Sequence, residues 1–125
     1  MFYTLLQVAA GGALGASGRY LTGVGMTALM GRGYPWGTLT VNIVGSFLMG
    51  VLVVVLANFS ATRFAPFLTV GLLGGFTTFS SFSLDVVTLY ERGEVVLAAS
   101  YVTASLILSI AALFAGLLLT RSIFA

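Results

Sequence analysis

The amino-acid sequence predicts an all-α membrane protein of four transmembrane helices with the third broken near its middle, and three observations carry that class. Of 125 residues, 59% are hydrophobic and 6% charged, far below the roughly 25% charged residues of soluble domains. The five basic and three acidic residues leave uncharged runs at 1–18, 33–62, 64–84 and 95–120, and a helix that crosses a bilayer needs about 20 mostly apolar residues. Inside the third run, Gly74 and Gly75 are followed by five hydroxyl side chains in "TTFSSFS", a composition that interrupts a helix.

The expected spans are 2–29, 37–57, 66–89 and 95–120. No remaining stretch has the length for an aqueous domain or the composition of a linker, so residues 1–125 are expected to form a single transmembrane domain. The opening "MFYTLLQVAAGGALG" lacks the basic start of a secretory signal and reads as the first span, retained in the protein. Cysteine and histidine are absent, which excludes disulfides, thiol catalysis and the usual transition-metal ligand sets. With acids only at Asp85, Glu91 and Glu94, an enzyme is not expected. The arginines are dispersed, so no basic patch supports nucleic-acid binding; the surroundings are membrane lipid.

The first span carries Gly11-x-x-x-Gly15, and Arg19 lies inside it or near its end. Arginine placement bears on orientation, because loops rich in Lys/Arg stay in the cytoplasm. With four spans, Arg63 and Arg121 fall on one side and Arg32 and Arg92 on the other; adding Arg19 to the first loop makes the score three to two. So balanced a count is compatible with copies inserted both ways and paired antiparallel, and also with one weakly encoded orientation.

In the second span Thr38, Asn42 and Ser46 recur every four residues and are followed by Gly50, one face of a helix. In the fourth, Tyr101, Ser105 and Ser109 repeat that spacing. Such stripes serve either as polar glue between helices or as the lining of a path.

The third span is expected to break at roughly Gly74–Ser80, since glycine is a poor helix former and neighbouring hydroxyls re-satisfy freed backbone groups. A break exposes carbonyls that suit a cation and amides that suit an anion. Alternatively, Gly71-x-x-x-Gly75 and Gly11-x-x-x-Gly15 allow intact helices to pack closely. Phe79 and Phe82 share a face just after the break, and the positive edges of their rings can assist an anion. Donors, ring edges and one arginine with hardly any carboxylate favour an anion path over a proton-driven pump.

"GGFTTFSSFSLD", "WGTLTVNIVGSFLMG" and "GALGASGRY", with Tyr101, Ser105 and Ser109, resemble the motifs of the Fluc/CrcB family of fluoride channels, in order and over nearly the whole chain. The resemblance implies a dual-topology, antiparallel homodimer in the bacterial cytoplasmic (inner) membrane, with two antiparallel pores that let fluoride leave the cell passively and confer fluoride resistance. It implies a structural sodium ion at the dimer centre on the backbone carbonyls of Gly74 and Thr77. It also implies an ion pathway along Phe79 and Phe82, Asn42, the track of Tyr101, Ser105 and Ser109, with Ser81, Thr38 and Arg19 as further lining. Ser81 stands where the family usually has threonine and Asp85 where it has glutamate; the first keeps the hydroxyl, the second shortens the reach. Two other readings fit a short four-helix chain. A small dual-topology multidrug-type transporter depends on an acid in its first helix, and residues 1–31 contain none. A non-transporting membrane assembly protein would use the glycines and hydroxyls for cohesion alone.

Overall fold

The computed structural model describes residues 1–60 and 62–125, and among these there is helix and no strand. Helix α1 spans Phe2–Met30 and α2 spans Trp36–Asn58. After a 3₁₀ turn at Thr62–Phe64, the chain enters α3, π-helical over Pro66–Leu73 and α-helical over Gly74–Phe76. Helix α4 spans Ser80–Glu91 and α5 spans Val95–Ile123. The turns between helices hold residues 31–35, Arg63 and residues 92–94, so the connections lie close to the charges that separate the uncharged runs.

Among the described residues, three segments are long and apolar enough to cross a membrane: Trp36–Asn58, Thr62–Glu91 and Val95–Ile123. Helix α1, at 29 residues, has the length; its glycines, hydroxyls, Gln7 and Arg19 make it less apolar than the other predicted spans. Large apolar side chains face outward along the molecule, among them Leu14, Ile107 and Phe114, each more than half exposed. A surface of that kind requires hydrocarbon around it, and the chain is a multi-pass membrane protein.

The helices pair as α2 with α5 and α1 with α3. Glycine permits both seams. A Cβ on Gly50 of α2 would strike the carbonyl of Leu113, and one on Gly116 of α5 would strike the carbonyl of Phe47. On the other seam, a Cβ on Gly15 would run into the carbonyl of Leu72, and one on Gly75 would stand 2.9 Å from the carbonyl of Gly12. Close packing is therefore what Gly11, Gly15, Gly71 and Gly75 provide.

That finding corrects the position of the break. Gly74 and Gly75 remain helical, and the interruption falls at Thr77–Phe79, beginning with Thr77 at φ −88°, ψ 161°. The expected range of Gly74–Ser80 contains it, but the glycines are not its cause. They are held in helix against α1, and the chain departs where hydroxyl-bearing residues can satisfy their own backbone. The π-helical stretch had no counterpart in the sequence reading. Its wider turn is seen where the Gly74 N–H donates to the carbonyl of Thr69, five residues back, and Pro66 begins it at the position where a missing N–H costs least.

Candidate functional site

A broken helix leaves carbonyls and amides without their usual partners, so the site is best built by tracing where each backbone group at the break goes. Asn42 of α2 meets Thr78 with both ends of its amide: Nδ2 donates to the Thr78 carbonyl at 3.0 Å, and the Thr78 N–H donates to Oδ1 at 2.9 Å. Arg19 of α1 donates from Nε to the Gly75 carbonyl at 3.1 Å. The Ser81 N–H donates to Thr78 Oγ1 at 3.1 Å, capping α4. The Thr77 hydroxyl donates to the Leu73 carbonyl at 2.9 Å.

The carbonyls of Gly74 and Thr77 are among those that lose their helical partner at the break. In an unbroken helix Gly74 would accept from the amide of Thr78, and Thr77 from that of Ser81; both amides are engaged elsewhere. Gly74 is exposed on the surface of the single chain and Thr77 partly so. Among the described residues no group of three His, Cys, Asp or Glu is placed to hold a metal, so a cation at this depth would rest on backbone oxygens such as these two. Two hard oxygen donors suit an alkali cation better than a softer metal.

The expected pathway residues other than Tyr101 line one or the other of two cavities. One, of about 600 Å³, holds Asn42, Phe79, Phe82, Ser105 and Ser109, with Ser46 beside them, and no carboxylate. The hydroxyl oxygens of Ser105 and Ser109 are buried there without a hydrogen-bond partner, an expensive arrangement in a packed interior unless something polar visits them. The rings of Phe79 and Phe82 are stacked, with centroids 5.5 Å apart and planes 23° apart. Phe79 is 66% exposed, whereas Phe82 packs against Tyr101 with centroids 5.2 Å apart.

The other cavity, of about 660 Å³, takes Arg19, Thr38 and Ser81. Asp85 lines it too, along with Arg32 and Arg92, which the sequence reading had used only for orientation. Three guanidiniums against one carboxylate make it a positive basin. Arg92 is steadied by its bonds to the Gly33 carbonyl at 3.1 Å and Glu94 at 3.2 Å; that ion pair is roughly half exposed and adds little stability.

Tyr101 stands between the cavities. It is fully buried, and its hydroxyl donates to Asp85 Oδ2 at 3.0 Å. The two sequence stripes are therefore not uniform. On α2, Gly50 is packing, Asn42 is a backbone clamp and Thr38 belongs to the basic cavity; on α5, Tyr101 turns toward Asp85 while the two serines face the phenylalanines.

Thr78 was missed among the candidates, though it lies in both cavity linings. Its signal was a threonine just ahead of an expected helix start, a residue type favoured at an N-cap.

Comparison with known proteins identifies relatives over nearly the whole chain. Residues 6–117 match the family described as CrcB-like protein, Camphor Resistance (CrcB). A protein of Cereibacter sphaeroides is 64% identical over 121 residues, covering 97% of each chain, and one of Rhodospirillum centenum is 58% identical over 94% of this chain and 95% of its own. A third, from Paracoccus denitrificans, is 52% identical over the full length of both. All three carry the name fluoride-specific ion channel FluC. The chain belongs to the CrcB family.

Proposed function

We propose that the protein is a fluoride-selective channel that lets fluoride leave the cell passively across the cytoplasmic (inner) membrane and so protects it from fluoride. The observation that carries this reading is the acid-free cavity beside the break, where buried hydroxyls of Ser105 and Ser109 lack partners next to Phe79 and Phe82. The names of its relatives support the same ion.

Fluoride is small and strongly hydrated, so a path must replace its water with donors at close range. The basic cavity gathers the anion near Arg19, Arg32 and Arg92, with Thr38 and Ser81 at hand. Beyond the break, Asn42, Ser105, Ser109 and the phenylalanine edges take over as neutral donors, and Tyr101 keeps Phe82 in place. Neutral groups hold an anion loosely enough to release it, as conduction requires.

One membrane domain of four spans, with α1 as the first, pairs with a second copy inserted the opposite way, giving two antiparallel pores. The near-even distribution of arginines supports this topology. The carbonyls of Gly74 and Thr77 from both copies would hold a sodium ion at the centre. When bound, it supplies fixed positive potential that favours anions nearby.

The test is fluoride efflux from liposomes carrying the purified protein. Efflux far above protein-free vesicles with little chloride movement is expected; no efflux from a correctly assembled dimer overturns the function. A cysteine placed at Arg121 is expected to label from both faces of sealed vesicles, and labelling from one face only overturns the dual topology. Exchanging sodium for a bulky organic cation is expected to loosen the dimer, and an unaffected dimer overturns the central ion.

A further inference from the structure

We propose that Thr78 is the point of passage between the two cavities and that its hydroxyl hydrogen bonds the anion as it crosses; this rests on the channel reading above. Among the described residues, Thr78 is the one side chain in both linings, shared by the basin of Arg19, Arg32 and Arg92 and by the cavity of Phe79, Phe82, Ser105 and Ser109. An ion moving from one to the other meets it.

Its hydrogen-bonding state fits that task. The Thr78 backbone is fixed on both sides by the Asn42 amide, so the side chain is presented at a set position. A hydroxyl has one donor and two acceptor sites. Capping the Ser81 N–H at 3.1 Å uses one acceptor and leaves the hydrogen to other partners. Within the chain it has Ser80 Oγ, at 3.4 Å a contact longer than the 2.5–3.0 Å of a good O–H···O bond and one an anion can displace. One preorganised donor is thus left at the junction, aimed by a bond that has nothing to do with the ion.

Capping and ion contact can be separated, because a cap needs an acceptor while an anion needs a donor. Thr78→Asp keeps an acceptor and removes the donor; Thr78→Val removes both at nearly constant shape; Thr78→Ser keeps both. Fluoride efflux from liposomes is read for each, together with the melting temperature of the dimer and the fluoride concentration at half-maximal rate. Thr78→Ser is expected to carry most of the flux. Thr78→Val is expected to lose about tenfold or more, the scale of one hydrogen bond to a charged group, with a raised half-maximal concentration; Thr78→Asp is expected to lose at least as much, its carboxylate also repelling the anion. Full flux in Thr78→Asp or Thr78→Val overturns the proposal while leaving the channel reading intact. If Thr78→Asp fails to assemble, Thr78→Val decides alone: an unchanged half-maximal concentration marks a cap and nothing more. Absence of fluoride efflux in the unaltered protein sinks both readings together.

Discussion

Asn42 and Thr78 are joined by two antiparallel hydrogen bonds, side-chain amide to backbone amide, at 3.0 and 2.9 Å. A residue on α2 thereby supplies what the interrupted helix has lost. The pairing copies the way two strands bond, and it accounts for an asparagine where a hydroxyl would fill the stripe equally well.

Replacing Asn42 with Ala strands one donor and one acceptor of the backbone, at about 1–3 kcal/mol each when buried. The expected outcome is a protein that melts earlier and a fluoride flux reduced by more than about tenfold. Flux equal to that of the unaltered protein, measured in liposomes at matched protein density, would remove Asn42 from the path and from the break.

Phe82 touches Phe79 on one side and Tyr101 on the other, with centroids 5.5 and 5.2 Å apart. Phe82→Ile keeps an apolar body and removes the ring's positive edge. Flux is expected to fall while the melting temperature changes little. A large drop in melting temperature with flux per folded protein unchanged would instead identify Phe82 as packing.

Arg19 gives its Nε hydrogen to the Gly75 carbonyl at 3.1 Å and also lines the basic cavity. Lysine retains the charge without the planar fork. Arg19→Lys is therefore expected to preserve the salt dependence of fluoride entry and to lower thermal stability, whereas Arg19→Gln loses the salt dependence as well. Identical stability in Arg19→Lys and the parent would show that the bond to Gly75 contributes nothing.

Neighbouring glycines of α1 should behave oppositely. A Cβ on Gly15 would overlap the Leu72 carbonyl, while one on Gly12 meets nothing within 4 Å. Gly15→Ala is expected to force α1 off α3 and to yield little folded protein; Gly12→Ala is expected to be tolerated. Equal yields of the two variants in a detergent-extraction and melting assay would contradict the close approach of these helices.

The helices themselves were legible because charge marks their ends: Arg32, Arg63 and Arg92 each fall in or beside a connection. The interruption of the third helix was legible from its cluster of hydroxyls, yet its position was not. Glycine in a membrane helix serves both to break it and to admit a neighbour, and only the approach of Gly12 to Gly75 decides which. The same holds for Arg19 and Asn42, whose partners lie 56 and 36 residues away in sequence. Periodicity places a side chain on a face but does not say which backbone group it will meet. Tyr101 illustrates the limit: its spacing placed it with Ser105 and Ser109, and a hydrogen bond to Asp85 turned its hydroxyl away from them.

Gly74 and Phe79 lie on the outside of the solitary chain, with the released carbonyls of Gly74 and Thr77 close to that surface. In oil, each such oxygen without a donor is disfavoured by several kcal/mol, and on the proposed pairing a lone copy is unfinished from the moment it is inserted. Under the antiparallel reading, working units arise only from encounters between copies facing opposite ways. Their number then scales with the product of the two populations, and a cell that makes half as many chains keeps, when chains are scarce, nearer a quarter of its protection.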